Sequence, residues 1–253
     1  MSQHEALKLN LKALSLPTAV TVVDELLDTA EREVWSPETF ARILTERELD
    51  GRRQRRIERL AKAANLPATK TLATLDTKRL PARLQRQLTV LCGGEFVDRA
   101  ENVLLFGLPG RGKTHVAAAI GHELVIAGRR VLFMPTFRIV DRLLRAKRDL
   151  ELERELRRLD RFEVLMLDDL GYVQQSREEM EVLFTLLAER YERRSVVLTS
   201  NLVFSEWDRI FKDPMTTAAA IDRVVHHSII LEFGADTTSV RAEEASRRNK
   251  AAA

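Results

Sequence analysis

The chain has 253 residues, 45% of them hydrophobic and 31% charged, with a net charge of +3. That is enough apolar material for a buried core and excludes a wholly disordered chain; no apolar run approaches the ~18 residues of a membrane helix, so no membrane partner is expected. One cysteine, Cys92, and five histidines without HExxH spacing exclude an internal disulfide and a cysteine-rich zinc site, argue against a zinc hydrolase, and suit a reducing cytoplasm.

The first residues, MSQHEALKLNLK, carry charges throughout and read as no secretory signal. Leu7, Leu11 and Leu14 recur at helical spacing up to Pro17. A second helix fits residues 18–32, with Val22, Val23, Leu26 and Leu27 on one side. Ser36-Pro37-Glu38 reads as a helix start, with Ser36 as N-cap and Pro37 at the first helical position. That helix is expected to run through Phe40, Ile43 and Leu44 towards Asp50-Gly51.

A basic stretch follows. Residues 51–90 hold eleven Lys/Arg against two Asp/Glu, an excess of +9, which leaves the rest of the chain at −6. On a helix, Arg52, Arg56 and Arg59 share a face, with Arg55 beside Arg59 and Arg53 in the same run. Such a cluster suits phosphate contacts to duplex DNA without base reading. The plain alternative is a solvated helix face. Trp35 and Trp207 fit core packing better than base stacking.

From residue 101 the texture changes. Short apolar runs at Asn102–Phe106, Arg130–Met134, Val164–Leu167, Val196–Leu198 and Ile229–Leu231 alternate with helical patterns. This predicts an α/β domain with a five-stranded parallel sheet covered on both faces. The expected organisation is a helical domain over residues 1–68, a linker and lead-in helix over 69–100, the α/β domain over 101–241 and a tail over 242–253.

Gly107-Leu108-Pro109-Gly110-Arg111-Gly112-Lys113-Thr114 fits GxxxxGK[ST] between an apolar strand and a helix. Glycines let the loop turn its N–H groups onto phosphate oxygens, and the helix start adds its dipole. Lys113 then reaches the β- and γ-phosphates of ATP, and the Thr114 hydroxyl ligates Mg²⁺. Arg111 receives no side-chain role. The second signal is Val164–Leu167 followed by Asp168-Asp169, two carboxylates at the C-terminal end of a buried strand, where parallel sheets bind ligands. Asp168 is expected in the Mg²⁺ shell and Asp169 beside the attacking water; alone, the pair also reads as a turn into Gly171. The third is Val196–Leu198 followed by Thr199-Ser200-Asn201. Asn201 is placed to hydrogen-bond the γ-phosphate or the water, or else to cap a following helix.

The pieces GLPGRGKTHVAAAIGHEL, LMLDDLGY, ERYERRSVVLTSNLVFSEW and AAAIDRVVHHSIILEF, in this order, resemble an IstB-type protein. These are AAA+ helpers of insertion-sequence transposases, related to the helicase loader DnaC and the initiator DnaA. The N-terminal segment from LKLNLKALSLPTAV to ELDGRRQRRIERLAKAANLP resembles the family's helical domain, so the likeness spans roughly residues 7–241. The resemblance implies an ATPase that uses ATP and Mg²⁺ and assembles with copies of itself into a ring or helix on duplex DNA. It implies that the assembly remodels the DNA and recruits or activates a cognate transposase in the cytoplasm. It places Asn201 as the sensor residue and Arg223 as the arginine that reaches a neighbour's nucleotide; a local ion pair with Asp222 is the alternative for Arg223. Asp169 stands where the family usually has Glu, and its shorter side chain implies slow hydrolysis; stimulation by DNA or partner is expected. Gly234–Arg241 lacks the family's usual Tyr, so Arg241 carries no assigned role. A helicase loader and an ATP-switched DNA-binding scaffold with negligible hydrolysis are the alternative functions.

Overall fold

The computed structural model describes residues 2–172, 176–202, 222 and 224–234. The chain divides into two compact units, Met1–Arg59 and Leu60–Ala253. The division falls ahead of the 68/69 boundary expected from sequence.

The first unit is helical. α1 (Gln3–Ala13) opens on a capping box, with the Glu5 amide on Ser2 Oγ at 3.1 Å and the Ser2 amide on the Glu5 carboxylate at 2.7 Å. α2 (Pro17–Glu33) carries Pro17 at its start, where a missing N–H costs nothing. α3 (Pro37–Ala64) begins as expected at Ser36, whose Oγ accepts the Thr39 amide at 3.2 Å. Leu11, Ala19 and Val23 form the small core, flanked by Leu7, Leu16, Val20, Leu27, Phe40 and Leu44. Trp35 is half-buried, with its indole N–H on Glu33.

α3 does not stop at Asp50-Gly51; it continues unbroken to Ala64. Gly51 is a contact glycine and not a terminator. A Cβ there would stand 2.0 Å from Thr18 Oγ1, so only a bare backbone lets α2 and α3 approach at this point.

The second unit is an α/β domain. β1 (Asn102–Gly107), β2 (Val131–Pro135), β3 (Val164–Asp168), β4 (Ser195–Ser200) and β5 (Ser228–Phe233) form one parallel sheet in the order β2-β3-β4-β1-β5. The strands are apolar on both faces because both are covered. α6 (Lys113–Ile126) is buried nearly all round. Gly121 lets it press onto the sheet: a Cβ there would lie 2.7 Å from Met166 Sδ and 2.7 Å from Leu66. α7 (Thr136–Arg148), α8 (Leu152–Leu159) and α9 (Arg177–Arg190) supply Ile139, Leu143, Leu159, Leu183 and Leu186 to the main core. Buried Arg190 ties the strand entrances together, donating to the carbonyls of Phe162 and Ser195, each at 3.0 Å.

The start of the stretch expected as a linker, and the last residues expected in the helical domain, are docked on the α/β domain. Asn65 donates to the Phe133 carbonyl at 3.2 Å, His122 Nε2 to that of Pro67 at 3.1 Å, and His115 Nε2 to that of Thr71 at 3.1 Å. Asn65 is thus held on β2 and residues 66–74 are strapped along α6. α4 (Ala82–Gly93) follows, burying Leu84, Leu88 and Leu91, and the short α5 (Glu95–Asp98) buries Phe96.

Candidate nucleotide site

In the order β3-β4-β1, the loop after β1, the residues after β4 and the carboxylates after β3 emerge from neighbouring strands at one edge. Gly107 to Thr114 form the loop between β1 and α6. Gly107, Gly110 and Gly112 have φ of 147°, 80° and 91°, which side chains rarely adopt. Gly107 has a second reason to be glycine: its Cβ would lie 2.4 Å from the Phe233 carbonyl on β5. Leu108 and Pro109 are exposed, Arg111 is half-buried, and Thr114 sits in the first turn of α6. The Lys113 ammonium is nearly buried and donates to the carbonyls of Gly107 at 2.5 Å and Leu108 at 3.0 Å. The loop therefore encircles its own lysine.

Asp168 ends β3 and Asp169 follows in the left-handed region, at φ 65°, which Asp tolerates better than most residues. Thr136 Oγ1 donates to the Asp168 carbonyl at 2.9 Å. Thr199, in sequence an ordinary strand residue before Asn201, joins the pair: its Oγ1 donates to Asp168 Oδ1 at 2.7 Å and accepts the Asp169 amide at 2.9 Å. Asn201 follows β4 beside Gly171, and its Oδ1 is buried without a hydrogen-bond partner among the described residues.

Thr114 and Asp168 offer a hydroxyl and a carboxylate. An oxygen-only donor set next to a phosphate-binding loop fits Mg²⁺. The nearby imidazole of His115 is engaged with Thr71 and Thr74. Cys92 takes no part; burial, and secondarily Glu123, push its thiol up to about 11. Among the described residues, Glu192, His226 and His227 could share an ion, but they precede β4 and β5 and so lie at the opposite end of the sheet from the loop.

The basic residues of α3 divide. Glu48, 4% exposed, accepts the Thr18 and Ala19 amides at 2.8 and 2.9 Å and pairs with Arg52 at 3.2 Å and Arg55 at 2.9 Å. Arg52 also donates to the Ser15 carbonyl, and Arg55 to Thr18 Oγ1. Both belong to the packing of the helical unit. Arg53, Arg56 and Arg59 are exposed, as is Arg52, and Arg59 Nε donates to the Arg55 carbonyl at 3.4 Å. Arg223, Trp207 and Arg241 lie outside the described residues.

The fold and site define a P-loop α/β domain of the AAA+ class. Solved structures share the fold: DnaI matches with a TM-score of 0.54 at 22% identity over 66% of this chain and 94% of that one. AMPPCP-bound DnaA from Aquifex aeolicus matches with a TM-score of 0.54 at 17% identity, over 73% and 57% of the two chains. Residues 9–247 match the family described as IstB-like ATP binding protein, and the chain belongs to that family. An insertion-sequence ATP-binding protein of Sinorhizobium fredii is 42% identical over 95% of this chain and 81% of its own length. The ATP-binding protein of insertion sequence IS21 from Pseudomonas aeruginosa is 40% identical, over 91% and 86% of the two chains. No helix among the described residues is long and apolar enough to cross a membrane.

Proposed function

We propose that this chain is an ATP-hydrolysing, DNA-binding helper of a transposase that acts as a homo-oligomer on duplex DNA. The observation that carries the reading is the convergence of the Lys113 loop, the Asp168-Asp169 pair and Asn201 at one edge of the sheet. The names of the relatives most similar in sequence, ATP-binding proteins of insertion sequences, favour transposition over helicase loading.

The loop amides and Lys113 hold the β- and γ-phosphates of ATP. Thr114 and Asp168 hold Mg²⁺, which when bound offsets charge on the phosphates. Asp169 orients or deprotonates the attacking water. The unpartnered Asn201 Oδ1 is an acceptor, so it suits a water proton and not a phosphate oxygen. Arg223 acts on a neighbouring subunit's nucleotide. Exposed Arg53, Arg56 and Arg59 contact DNA phosphates.

Turnover assays with and without duplex DNA test the reading. DNA-stimulated hydrolysis supports it, and ATP binding without turnover favours the scaffold. Capture of the cognate transposase, and not of a replicative helicase, from mixtures of purified proteins tests the partner.

A further inference from the structure

We propose that the Thr199 hydroxyl is a positioning group that sets the two carboxylates of the site against each other and thereby tunes how tightly Asp168 engages Mg²⁺. The proposal rests on the nucleotide-site reading above and deepens it.

The direction of the two hydrogen bonds is forced. The Asp169 amide can only donate, so Thr199 Oγ1 accepts it at 2.9 Å. The hydroxyl's single proton is then left for Asp168 Oδ1, 2.7 Å away. Thr199 is 3% exposed, so water cannot readily replace it at either partner. The hydroxyl acts on both acids at once. It fixes one oxygen of Asp168, which sets the orientation in which the other can serve an ion. It also pins the amide of Asp169, whose φ of 65° is an uncommon conformation that needs support from its surroundings.

The strand order explains why Thr199 can do this. β4 lies between β3 and β1, with Leu198 opposite Leu167 and Thr199 opposite Leu105. The side chain therefore stands between the carboxylates and the strand that feeds the phosphate loop. Groups that orient a metal's ligands typically change metal affinity or activity by about 10–100-fold when removed.

Thr199→Val keeps the side-chain shape and removes the hydroxyl. The primary readout is the Mg²⁺ concentration needed for half-maximal binding of a fluorescent ATP analogue, which requires no turnover. It should rise by about 10-fold or more, while binding of the analogue without Mg²⁺ stays unchanged. At saturating Mg²⁺, turnover should fall with KM for ATP nearly constant. Thr199→Ser restores the hydroxyl and should recover both. Should the valine variant lose its far-ultraviolet circular dichroism signal, Thr199→Ala carries the same test. A wild-type Mg²⁺ dependence in the valine variant overturns the proposal, as does a serine variant as impaired as valine, since the methyl group would then be what matters. If the wild-type protein hydrolyses no ATP with DNA present, the hydrolysis reading fails, and the Mg²⁺ titration still decides the role of Thr199.

Discussion

Gly171 and Asn201 are so close that a Cβ on Gly171 would stand 1.8 Å from Asn201 Oδ1. The glycine two residues after the carboxylate pair is therefore the floor on which the Asn201 amide rests. A turn residue and a residue 30 positions later form one unit, because β3 and β4 are neighbours in the sheet.

Gly171→Ala should push the Asn201 side chain out of place. Local overpacking of this kind costs roughly 1–3 kcal/mol, and the displaced amide should lower turnover with little change in ATP affinity. Asn201→Ala should give the same kinetic phenotype, and the double variant should be no worse than either single one. Steady-state hydrolysis and fluorescent-nucleotide titrations check this. Additive losses in the double variant would separate the two residues.

Lys113→Ala should abolish hydrolysis and weaken ATP binding on the order of 100-fold. This matches the loss of charge-assisted bonds worth about 1.5–3 kcal/mol. The lysine's two carbonyl contacts, to Gly107 and Leu108, lie within the loop itself, so the melting temperature should change little. Filter-binding titration and thermal melts make the test; unchanged ATP affinity removes the loop from phosphate binding.

The sheet and the phosphate loop were legible because a parallel strand buried on both faces must be a continuous apolar run, and the loop's glycines sit at fixed spacing. Thr199 was not legible. A Thr in a strand is ordinary, and its partners lie 30 and 31 residues earlier, brought near only by strand order. Gly51 misled because glycine commonly ends a helix, whereas here it admits Thr18. Arg52 and Arg55 read as phosphate ligands because they stand in a dense basic run, although the four-residue spacing from Glu48 to Arg52 is also a helical ion-pair signal. The docking of residues 66–74 on α6 rests on backbone carbonyls, which leave no trace in side-chain pattern.

Asp169→Asn should bind ATP and fail to turn it over. Mixed with Arg223→Ala subunits, it should restore hydrolysis, because each variant supplies what the other lacks if the arginine acts in trans. Activity is measured across mixing ratios at constant total protein. A flat, inactive profile at every ratio argues against action between subunits.

Glu48 gives the helical unit an acid sensitivity. Burial opposes its ionisation, yet the Ala19 amide, the Arg52 and Arg55 guanidiniums and the Thr18 amide hold its carboxyl below the ordinary value. A carboxyl depressed in the folded state adds stability above its unfolded value, near 4.5. That contribution is lost as pH falls through the folded value. Urea unfolding from pH 6 down to pH 3 should show this loss, and Glu48→Gln should flatten the profile in that window. At pH 7, Glu48→Ala should cost about 2–3 kcal/mol, as expected for a multiply bonded buried charge acceptor. An unchanged pH profile in the glutamine variant would assign the sensitivity to other carboxylates.

The arginines of α3 should separate DNA binding from folding. Arg53, Arg56 and Arg59 follow one another at three-residue spacing on the exposed side, a track that an oligomer repeats from subunit to subunit. Arg52 and Arg55 are spent on Glu48, Ser15 and Thr18. Replacing Arg53, Arg56 and Arg59 with Ala should lower duplex affinity similarly across sequences. At about 0.9 per phosphate contact, it should also flatten the slope of log affinity against log salt by up to ~2.7. Replacing Arg52 and Arg55 should instead lower the melting temperature, with any loss of DNA affinity following the unfolding. Fluorescence-anisotropy titrations over a salt series, with ATP, with ADP and without nucleotide, make the measurement. ATP should tighten binding, because nucleotide held between subunits favours the assembled form and the linkage is reciprocal. A wild-type salt slope in the triple variant would leave this helix a solvated face and move the DNA surface to the α/β domain.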